Sequence, residues 1–85
     1  MIDTADAFAR ALDIELDLVE SAIRLVASGA ATRVVVSNLV YGRVVLEPAR
    51  TLADEAGVGL AVEPGPNAGR TNVIATARST QPSER

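Results

Sequence analysis

Residues 17–29 spell out one helix with both ends marked, and one side of that helix cannot face water. Asp17 and Glu20 stand at capping-box spacing, where carboxylates sit well at the positive start of a helix. Leu18, Val19, Ala22, Ile23, Leu25 and Val26 form a broad apolar stripe, while Glu20 and Arg24 are four apart on the polar side. Gly29 suits the left-handed stop that closes a helix. A stripe this wide demands a covering layer, and the chain has only 85 residues to supply it. A domain of that size buries only roughly 60–65% of the surface its unfolded chain exposes, so the core must be dense. The material is present: 48% of the residues are apolar, nearly all Ala, Val, Leu and Ile, with Phe8 and Tyr41 the aromatic exceptions.

The remaining elements follow from the same kind of pattern. Ala5, Phe8, Ala9 and Leu12 predict a first helix from Asp3 to Leu12, which Asp13 and Ile14 interrupt. Arg33-Val34-Val35-Val36-Ser37 is a β-branched run without alternation, as expected of a central strand buried on both faces. Pro48 disfavours a helical Glu47 and suits the first position of a helix. The expectation is therefore a hairpin of residues 33–38 and 43–47, then a helix over 48–56 that buries Ala49, Leu52, Ala53 and Ala56 and ends at Gly57. Val58 to Glu63 reads as a strand, residues 64–69 as a turn, and Thr71 to Arg78 as a final edge strand, with Ile74 on its otherwise polar side as the expected place for two-fold pairing. The predicted fold class is α+β, a small two-layer sandwich. It has two N-terminal helices, then a three- or four-stranded mixed sheet with one further helix. Residues 1–78 form its single domain and residues 79–85 a disordered tail.

The chemistry of catalysis is thin. Histidine, cysteine and lysine are absent, which removes the usual general base, the soft metal ligand, the Schiff-base amine and any disulfide. Asp13, Glu15 and Asp17 alternate like the opening of a calcium loop, but Leu18 occupies the place of the sharp-turn glycine and Arg24 that of the bidentate acid. Gly57-Val58-Gly59 lies between a helix and a strand, the reverse of a phosphate-cradling order. No catalytic, cofactor-binding or metal-binding residue is assigned. The polar group Ser37, Asn38, Tyr41 and Arg43 is read as a turn, with Tyr41 and Arg43 kept as candidate contact residues beside Arg70 and Ile74.

Two resemblances bear on function. Residues 5–25 resemble a helix-turn-helix: Phe8-Ala9 in the first helix, Leu12 and Ile14 about the turn, Val19 and Ile23 anchoring the second helix, and a hairpin at 33–47 placed like a wing. That resemblance implies a helix entering DNA, yet Glu15, Asp17 and Glu20 would face the phosphates, so it is taken as a packing pattern. Residues 18–78 resemble the small Alba-type domains, in which helix, strand, helix and two strands follow in order. Gly29–Val36 and the stretch from Gly42-Arg43 to Ala56 carry the likeness, which implies a dimeric nucleic-acid binder. The chain lacks that family's initial strand and its lysines. Neither resemblance assigns a family.

Charge divides unevenly. Residues 1–28 hold six acids against Arg10 and Arg24, for −4, whereas residues 29–85 hold five acids against six arginines, for +1. The expected role is a non-catalytic interaction or regulatory module that forms a homodimer or binds a protein partner. A nucleic-acid binder using Arg33, Arg43, Arg70 and Arg78 ranks second, and carboxylate-only catalysis third. Neither a signal peptide nor an apolar run of ~20 residues is visible, so no membrane role is expected and the cytoplasm is the expected location.

Overall fold

The computed structural model describes residues 4–77, and the proposed tail at 79–85 lies outside them, as does Arg78. Five elements follow in order: α1 (Thr4–Ala27), β1 (Arg33–Leu39), α2 (Gly42–Ala56), β2 (Val58–Pro64) and β3 (Thr71–Ala77). The sheet has three strands in the order β1-β3-β2, and both pairings are antiparallel. β1 and β2 therefore run the same way with β3 inserted between them, a split β-α-β unit bridged by α2. Both helices cover one face of the sheet, α1 over β1 and β3, α2 chiefly over β2. The fold is thus α+β in two layers, with an antiparallel rather than a mixed sheet.

The core lies between the layers. Val19, Ala22, Ile23 and Val26 of α1, Val45, Ala49 and Ala53 of α2, and Val58, Val73 and Ala75 of the sheet are all buried. Val34, Val36, Leu60 and Val62 complete the inward face of the strands. Gly57 caps α2 in the left-handed conformation, φ 73°, with its N–H reaching the Ala53 and Asp54 carbonyls.

The structure corrects the expected elements at four places. The first concerns the N-terminus, where one continuous 24-residue helix replaces two. No glycine or proline stands between Asp13 and Asp17, and Ile14 falls out of the buried stripe because it belongs to a different face of the same helix. With the turn goes the helix-turn-helix pattern.

The second correction removes the hairpin at 33–47. α2 begins at Gly42 and runs through Pro48. Proline there removes the bond to the Val44 carbonyl, but Val44 and Pro48 lie on the exposed side, where water can satisfy that oxygen. Val45 and Ala49 on the buried side hold the turn in place.

The third places β1 at the sheet edge. Its burial alternates, with Val34 and Val36 half-buried and Val35 39% exposed, so three consecutive valines reflect strand preference and not double burial. The fourth places β3 at the centre. Ile74 pairs with Val35 on one side and Ala61 on the other and is only 7% exposed. It occupies no free edge.

Candidate interaction surface

Three of the four candidate contact residues meet at one end of the molecule. β1 ends in a bulge at Asn38, a non-glycine residue with φ 63°, which turns the chain toward α2. The Asn38 N–H donates to Asn72 Oδ1 at 3.0 Å, Asn67 Nδ2 donates to Asn38 Oδ1 at 3.0 Å, and Arg70 Nη1 donates to the Asn38 carbonyl at 3.3 Å. This knot ties the end of β1 to the β2–β3 loop. Gly42 follows at the start of α2. A Cβ there would come within 3.0 Å of Thr71 Cβ, so glycine permits a close approach of helix to strand. Asn38, by contrast, supplies the unusual backbone angle.

Glu15 completes the corner from the helix layer. Its carboxylate accepts the Val40 N–H at 2.9 Å and the Tyr41 N–H at 2.6 Å, across more than two dozen residues of sequence. These two bonds pin the loop between β1 and α2 to the first helix. Tyr41 then stacks edge-on with Phe8, ring centroids 5.0 Å apart at 90°. Two shallow depressions border this corner. One of about 570 Å³ is lined by Ala5, Ala7, Phe8 and Tyr41. The other, about 320 Å³, is lined by residues that include Tyr41, Arg43, Arg70 and Thr71. Ile74 is not part of this corner. It sits mid-strand on the sheet face opposite the helices, because Val73 and Ala75 on either side of it point into the core.

A second surface, along α1, was not singled out in the sequence. Ile14, Leu18 and Leu25 are 63%, 48% and 48% exposed, although all three are large and aliphatic. Each directly precedes a residue directed into the domain, at 14/15, 18/19 and 25/26, so they line a strip about 100° around the helix from the buried one. Ala7, Ala11 and Ser21 continue it. The positions 7, 11, 14, 18, 21 and 25 alternate steps of four and three, the spacing of a helix–helix seam. That alternation was available in the sequence, but reading Leu18 and Leu25 as parts of a single core stripe concealed it.

Asp13, Glu15 and Asp17 step around a continuous helix, with Glu15 engaged on the loop, and among the described residues no group of three acidic side chains could hold a metal ion. Arg10 pairs with Asp6 at 3.1 Å and Arg24 with Glu20 at 3.8 Å along α1. Among the described residues no helix is long and apolar enough to cross a membrane. Comparison with family models, curated proteins and solved structures finds no match for this chain.

Proposed function

We propose that the chain is a non-catalytic interaction module that self-associates, acting in the cytoplasm. The observation that carries this reading is the outward strip of α1. Ile14, Leu18 and Leu25 remain about half exposed or more on a helix whose opposite flank is engaged. Scattered surface leucines need no explanation, but large aliphatic residues aligned at seam spacing along one helix make an apolar strip that a partner helix could cover. The lack of histidine, cysteine and lysine supports a role in binding over one in catalysis.

Light scattering coupled to size exclusion tests the proposal. A concentration-dependent dimer is expected, and Leu18→Glu should return it to monomer with unchanged helical circular dichroism. A strict monomer at high micromolar concentration would sink it.

A second reading, nucleic-acid binding, draws on Arg43 and Arg70 lining one depression. Arg33 opens β1, at the end opposite the Asn38 corner, so among the described residues it stands apart from Arg43 and Arg70. Duplex DNA is expected to bind no tighter than the non-specific range of ~10⁻⁴–10⁻⁶ M. Submicromolar affinity in an anisotropy titration, lost on Arg43→Ala or Arg70→Ala, would make the second reading the function.

A further inference from the structure

We infer that a second copy of this chain docks on α1 and β1 together, about one two-fold axis perpendicular to the sheet. The inference rests on the self-association reading and specifies its geometry. β1 is an edge strand, and α1 is the helix that covers it. β1 and β2 are joined by α2 in the manner of a β-α-β crossover, and such crossovers are right-handed in roughly 98% of cases. That hand puts α2 on one flank of α1 and the strip of Ile14, Leu18 and Leu25 on the other, above the free edge of β1. Two apolar or unpaired surfaces thus open in the same direction.

Their dimensions agree. Antiparallel pairing of two β1 edges sets those strands about 4.8 Å apart. Because α1 straddles β1 and β3, the two α1 helices would then stand two strand spacings apart, about 9–10 Å. Packed helices stand about 8–10 Å apart. A single rotation therefore closes both contacts and extends the sheet across the dimer. From Val34 to Leu39, β1 carries no lysine or proline to guard its edge.

Charge selects the register. Arg10, Asp17 and Arg24 recur every seven residues along the solvent side of the seam. Setting Ile14 against Leu18 of the second copy would stack Asp17 on Asp17 and Arg10 on Arg24. Setting Ile14 against Leu25 instead brings Asp17 opposite Arg24 of the second copy, twice by symmetry. In that alignment the axis passes between Val19 and Glu20, about 11 Å back from Ala27 along the helix. The middle of β1 lies about 10 Å beyond Arg33, at the same level. The other charge-matched alignment, Arg10 opposite Asp17, sets the large side chains against Ala7 and Ala11 and moves the axis to the far end of β1.

The test exchanges the charges. Asp17 and Arg24 are both exposed, so substituting them spares the fold. Asp17→Arg and Arg24→Asp should each weaken the dimer by about tenfold or more. An equimolar mixture of the two variants should recover a 1:1 heterodimer by native mass spectrometry, since both cross-pairs become complementary. Hydrogen exchange should show amides in residues 33–39 of the wild type slowing as the dimer forms. A dimer that survives both single substitutions, a mixture that stays monomeric, or β1 amides indifferent to concentration would overturn this arrangement while leaving self-association intact. A wild-type protein that never dimerises would remove both.

Discussion

Glu15 and Ile23 hold the molecule together by opposite means, and their substitutions should fail differently. Ile23 is fully buried between α1 and the rest of the core. Ile23→Ala should lower stability by roughly 2–5 kcal/mol in urea unfolding, the loss of transferred methylenes plus the cavity left behind. Glu15 is half-buried, and its carboxylate accepts two N–H groups of the β1–α2 loop. Glu15→Ala should cost about 1.5–3 kcal/mol, because bonds to a charged acceptor exceed neutral ones. It should also speed hydrogen exchange at Val40 and Tyr41 beyond the global change, which Ile23→Ala should not. The first residue was legible in the sequence because burial of a helix face repeats with a known period. The second was not. A carboxylate that reaches a loop far along the chain leaves no local signature, and Glu15 read only as one acid of the Asp13, Glu15 and Asp17 alternation.

Elements were legible where both an inner stripe and a terminal signal agreed. The C-terminal half of α1, the cap at Gly57, the strand at β2 and the loop after it follow this rule. The misreadings arose where one signal stood alone. At Ile14 a change of face imitated a break, and at Pro48 a strong local preference was outweighed by burial of Val45 and Ala49 on the other side of the same turns. At β1 and β3 composition could not reveal sheet position, since a valine run serves an edge strand as well as a central one. Pro48 offers a direct check at this scale. A proline in a helix interior is about 3 kcal/mol less favourable than alanine, and part of that difference is recovered through a stiffer unfolded chain. Pro48→Ala should therefore stabilise the protein by about 2–2.5 kcal/mol in thermal or urea unfolding. A loss of stability would mean that α2 depends on the backbone angle that proline fixes.

At the scale of the whole molecule, the candidate surface was half legible. Tyr41, Arg43 and Arg70 do come together, because the bulge at Asn38 and the β2–β3 loop converge on the start of α2. Ile74 does not join them, and its burial changes what its substitution should do. Ile74→Lys places a charge between Val35 and Ala61 in the central strand, so it should destabilise the fold at every protein concentration. Leu18→Glu, on the exposed strip, should instead leave the monomer intact and abolish only the part of stability that depends on association. Association stabilises the native state by mass action, on the order of 2.7 kcal/mol when the free partner is at a hundred times its Kd. In a domain of this size 1 kcal/mol moves the melting temperature by roughly 4–8 °C. Melting curves across a hundredfold dilution series should accordingly shift downward for the wild type as the dimer dissociates. For Leu18→Glu they should superimpose near the dilute limit of the wild type, and for Ile74→Lys they should lie below it throughout. Superimposable wild-type curves over that range would place the exposed strip of α1 outside any self-assembly.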